Sequence, residues 1–119
     1  MKPNLTPPSG LSDTILNDAL DMSMTWGENW GKPINGRMQE RYPEITDTQA
    51  EALQQWSRAM CSAAFALVED GYQEAIAKPG GEDALRAALT AYVQQYYPQM
   101  SEGNISHLYS QGMYYAWHG

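Results

Sequence analysis

The sequence predicts an all-α fold, a single compact domain of about five helices arranged as two helical hairpins around a central helix. Three observations carry this. Apolar residues recur at helical spacing, as in Ile15, Ala19 and Met22, or Leu53, Trp56, Met60, Ala64 and Leu67. Val, Ile and Thr are scarce in alternating runs, so no strand pattern competes. The prolines and the Gly80-Gly81 pair fall between the periodic segments, where they act as breaks.

Residues 1–10 hold three Pro and no periodic pattern, and read as an extended arm or a disordered tail ahead of a domain at 11–119. The first helix starts at Ser12, an N-cap, followed by Asp13 at the positive end of the helix dipole. Ile15, Ala19, Met22, Trp26 and Trp30 share one face, so this helix is expected to run on to Gly31 and Pro33. A shorter helix spans Ile34 to Tyr42, weakened at its start by Asn35-Gly36 and stopped by Pro43. The third helix runs from about Asp47 to Asp70, opened by a capping box of Thr46 with Gln49 or Thr48 with Glu51. It carries no charge from Ala59 through Val68, which predicts burial on most sides and a central position. One further turn of helix through Tyr72 to Ala77 precedes the loop Lys78-Pro79-Gly80-Gly81. Two more helices follow, at about Glu82 to Tyr97 and from Ser101 towards Trp117, separated by Pro98.

A repeat lies within this pattern. Met38 to Asp47 matches Val93 to Glu102 at an offset of 55 residues, identical at three of ten positions and conservative at six more. In both copies a helix ends at Tyr, Pro forbids its continuation, an apolar residue follows, and a hydroxyl plus an acid start the next helix. Convergence on one good corner and an ancient duplication both explain it.

Composition excludes several function classes. The chain has 119 residues, 43% of them apolar, and a net charge of −7. There is no basic cluster, so a nucleic-acid backbone is not an expected partner, and neither is an anionic membrane surface. The longest unbroken apolar run, Ala63 to Val68, is far short of a membrane span. Cys61 is the only cysteine, so no intrachain disulfide forms, which fits a cytoplasmic setting.

Catalytic and metal-binding groups are sparse. His107 and His118 fall on a similar helix face but roughly 16 Å apart at ~1.5 Å rise per residue, too far to share a metal. Cys61 sits in the uncharged stretch of the third helix, where a thiol is inert. Phosphate loops, dinucleotide fingerprints and calcium-loop spacing are absent, so no cofactor and no metal is expected, and the reading favours a non-enzyme.

The last third of the chain stands out. From Ala87 to Gly119 the only formal charge is Glu102, while the segment holds six of the eight Tyr, with Trp117, Met100 and Met113. Charge depletion with Tyr, Trp and Met enrichment marks interface centres. Tyr109, Met113, Tyr114, Tyr115 and Trp117 point around the last helix, so some of them meet a second surface, and Gly112 invites a close neighbour. The leading expectation is a non-catalytic interaction module of inhibitor, immunity or adaptor type. It docks a protein partner, or a second copy, through Tyr109, Tyr114, Tyr115 and Trp117. The alternative is a small-molecule pocket lined by Trp26, Trp30, Tyr92 and Tyr96.

Overall fold

The computed structural model describes residues 4–25 and 32–118. These form five helices and no strand: α1 (Asp13–Ser23), α2 (Asn35–Arg41), α3 (Asp47–Ala77), α4 (Gly81–Tyr96) and α5 (Glu102–His118). The fold is all-α. The chain divides into two compact units, Met1–Cys61 and Ser62–Gly119, and α3 contributes its first half to one and its second half to the other.

In the first unit, Ser12 caps α1 by accepting from Ile15 N at 3.2 Å. The helix buries Ile15, Leu16, Ala19, Leu20 and Met22. It ends at Ser23, earlier than its apolar periodicity predicts. The cause is local. In a continuing helix the Asp21 carbonyl would accept from Thr25 N. Here it takes Met24 N at 3.1 Å and the Thr25 hydroxyl at 3.2 Å, while Thr25 N moves to Met22 O at 3.3 Å. No basic residue in the last turn offsets the negative end of the dipole. Ser23 Oγ also donates to Ser57 Oγ of α3 at 2.7 Å, which fixes the point of exit.

The seven-residue α2 has no side-chain cap at Ile34, and Asn35 Oδ1 reaches only the Gly36 N–H, at 2.9 Å. Gln54 of α3 supplies one instead, its Oε1 accepting from Ile34 N at 2.7 Å and Asn35 N at 3.2 Å. At the start of α3 the Thr46–Gln49 capping box is reciprocal: Thr46 N donates to Gln49 Oε1 at 2.9 Å and Gln49 N to Thr46 Oγ1 at 3.1 Å. The segment ahead of α1 is tied to α3 as well. Leu5 is buried, and the Trp56 indole N–H donates to the Leu5 carbonyl at 2.9 Å.

In the second unit α3 continues without a break through Gly71 to Ala77. A Cβ at Gly71 would lie 2.6 Å from a Leu85 methyl, so the glycine admits α4 closely. The stretch Ala59 to Val68 is less enclosed than its lack of charge predicts. Met60, Ala64 and Val68 are buried, whereas Ser62 and Ala66 are exposed, small side chains that cost little to leave in water.

The corners of the 55-residue repeat share their hydrogen bonds. Tyr42 N donates to Met38 O and Ile45 N to Tyr42 O, at 2.8 and 3.1 Å; Tyr97 N donates to Val93 O and Met100 N to Tyr97 O, at 2.9 and 3.2 Å. Met38, Ile45, Val93 and Met100 are all buried. The first corner thus turns α2 into α3, and the second turns α4 into α5.

Candidate functional site

The end of α5 carries the most exposed aromatic surface among the described residues. Trp117 is 70% exposed and Tyr114 46%, and the two lie three residues apart on one helix face. They belong to a continuous line of rings within the second unit. Phe65 of α3 meets Tyr115 edge-on at 5.2 Å, Tyr115 meets Tyr114 at 5.8 Å, Tyr114 meets His118 at 4.2 Å, and His118 meets Trp117 at 4.4 Å. The line runs from half-buried rings to a solvent-facing indole. Each ring holds the next in place, so the exposed pair is oriented before anything meets it.

The other two expected anchors are half-buried and make contacts within the unit. The Tyr109 hydroxyl donates to the Glu82 carbonyl at 3.2 Å, and the Arg86 guanidinium lies 5.8 Å from its ring centroid. Burial, then the charges of Glu82 and Asp83, push the Tyr109 phenol above its ordinary pKa. Tyr115 is half-buried against Phe65. Gly112 is accounted for within the unit, because a Cβ there would lie 2.9 Å from the Val68 Cβ.

Tyr92 and Tyr96, named for the alternative pocket, meet edge-on at 5.5 Å on α4. Trp26 and Trp30 lie outside the described residues. Cys61 is buried, and burial pushes its thiol up to about 12, so almost none is thiolate at neutral pH. His107 Nε2 lies 3.0 Å from the Gln111 amide nitrogen one turn along. Among the described residues no group of three His, Cys, Asp or Glu is placed to hold a metal ion, and no helix is long and apolar enough to cross a membrane.

The first unit has an open cleft of about 450 Å³ lined by Asp21, Met22 and Thr25 from the end of α1 and Arg37, Glu40 and Arg41 of α2. Arg41 pairs with Asp18 at 3.5 Å, and Asp18 also accepts from the Tyr42 hydroxyl. That hydrogen bond, with burial and the Asp18 charge, raises the Tyr42 phenol above its ordinary pKa. Arg37 Nη2 has neither solvent contact nor a hydrogen-bond partner. The sequence signal for this cleft is slight: two arginines four apart, Arg37 and Arg41, in a chain of net charge −7. Set against known proteins, the chain matches no family model, no curated protein and no solved structure.

Proposed function

We propose that this chain is a non-catalytic protein-interaction module, of inhibitor, immunity or adaptor type, that docks through the C-terminal end of α5. The observation that carries the reading is the exposed Trp117 and Tyr114 pair at the end of a pre-ordered line of rings. Trp and Tyr are the commonest anchors of binding energy, and anchors already held in their rotamers lose little entropy on binding. The partner is a protein with an apolar socket for the indole, and the net charge of −7 favours a basic surface around that socket. A cytoplasmic setting belongs to this reading.

Tyr115 meets Tyr114 edge-on, and Tyr109 lies further back on the same helix; both are half-buried and would add to the surface at its edge. The test is affinity capture from the native lysate with wild type, Tyr114→Ala/Trp117→Ala, and Tyr92→Ala as a control. A near-stoichiometric protein lost only with the double variant supports the reading. Capture unchanged by the double variant, or nothing captured, refutes it. Recovery of this chain alone would assign the surface to self-association.

A further inference from the structure

We infer that the cleft between the end of α1 and α2 takes a small zwitterion of amino-acid type, with its carboxylate on Arg37. Three observations carry this, all within the first unit. A guanidinium nitrogen of Arg37 is buried without any acceptor, although five donors on a charged plane are the hardest side chain to leave unsatisfied. The other charged groups of the neighbourhood are not all spoken for either. Arg41 is engaged by Asp18, which also holds Tyr42, whereas Asp21 and Glu40 line the same cleft without an ion pair among the described residues. The cleft, at about 450 Å³, is of the size that holds a small molecule.

The sign of the ligand follows from the charge set. Arg37 and Arg41 line the cleft with Asp21 and Glu40, a neutral set, and Asp18 behind Arg41 tips the neighbourhood negative by one charge. A multiply charged phosphate would be repelled, and a plain cation would leave Arg37 unsatisfied. A ligand with one carboxylate and one ammonium group satisfies both sides, the first on Arg37 and the second on Asp21 or Glu40. Met22 supplies an apolar wall and the Thr25 hydroxyl a further polar group. Arg37 Nη2 is screened from solvent, and binding therefore requires a turn of the guanidinium to bring it to the ligand. Such side-chain rotations take picoseconds to nanoseconds.

The test uses the full chain, nitrogen-15 labelled, titrated separately with the common free amino acids, acetate, methylammonium and inorganic phosphate. At least one amino acid is expected to shift the Arg37 Nε–H signal and the Thr25 and Glu40 amides, with a Kd of about 1 mM or tighter. Arg37→Gln is expected to weaken that binding at least ~10-fold, about 1.4 kcal/mol. It should leave the ligand-free Tm equal to or above wild type, because among the described residues the guanidinium makes no hydrogen bond or ion pair that would be lost. Glu40→Gln combined with Asp21→Asn should weaken the amino acid and leave acetate unweakened. The inference is overturned if no amino acid shifts these signals, or if acetate or phosphate shifts them as strongly. It is also overturned if Arg37→Gln lowers the ligand-free Tm, which would make the guanidinium a structural member.

Discussion

Gly112→Ala is the sharpest test of how α5 sits on α3 within the second unit. Taken alone, α5 should gain from the change, because Ala is favoured over Gly in a helix interior by about 1 kcal/mol. The structure reverses that sign. The new Cβ would lie 2.9, 3.0 and 3.2 Å from Val68 Cβ, Cγ2 and Cγ1, where carbon atoms normally rest about 3.5–4.0 Å apart. Val68 is fully buried and its Cβ is fixed to the backbone, so the strain falls on the helices themselves. Overpacking costs roughly 1–3 kcal/mol, and the upper part of that range, about 2–3 kcal/mol, applies where nothing can rotate away. After the propensity gain, the expected net loss is about 1–2 kcal/mol, a fall in Tm of roughly 4–8 °C. The assay is urea unfolding followed by circular dichroism. Gly103→Ala on the same helix is the control, since apart from its own helix backbone and chain neighbours nothing lies within 4 Å of where its Cβ would be. A Gly112→Ala protein as stable as wild type, or no worse than Gly103→Ala, would refute the close approach of the two helices.

Three further outcomes are expected. Trp56→Phe removes the indole hydrogen bond to the Leu5 carbonyl and should cost about 1–2 kcal/mol; limited proteolysis should then cut the segment ahead of α1 faster, and an unchanged cleavage rate would contradict the tether. Cys61 should resist a disulfide reagent at pH 8 in the folded protein and react fully in urea, because burial holds the thiol up at about 12; prompt labelling of the native protein would disprove its burial. Tyr42→Phe should remove a phenol transition that titrates above the ordinary value of 10. Its folded-state pKa is raised, so its contribution, roughly 1 kcal/mol after allowing for solvent screening, is present below pH 10 and lost as pH rises through the folded value. The deficit of the variant should therefore shrink in alkali, as followed by absorbance and urea unfolding together.

What the sequence shows of this fold is what depends on neighbours in the chain. Ser12 ahead of α1, the Thr46–Gln49 box and the two Tyr-Pro corners are each written within a few residues, and each is present. What it conceals depends on residues far away or on competition between groups. The cap of α2 comes from Gln54, so Asn35-Gly36 alone reads as a weak start. The end of α1 turns on a threonine hydroxyl taking a backbone acceptor, which apolar periodicity does not register. Gly71 reads as a helix end and is instead a contact with Leu85. For the aromatic segment, composition marks the region but not the direction of each ring. Tyr109 and Tyr115 have the same local surroundings in sequence as Tyr114 and Trp117, yet the first pair turns to Glu82 and Phe65 and the second to solvent.

The cap that Gln54 provides to α2 also sets an order of events during synthesis. A helix of seven residues is far below the ~12–15 at which an isolated helix becomes even marginal in water. The N–H groups of Ile34 and Asn35 find their acceptor on a side chain nineteen residues beyond Asn35. A ribosome adding ~5–20 residues per second therefore leaves this stretch waiting roughly 1–4 s after it emerges from the exit tunnel. Throughout that interval Met38, later fully enclosed, remains open to chaperones and proteases.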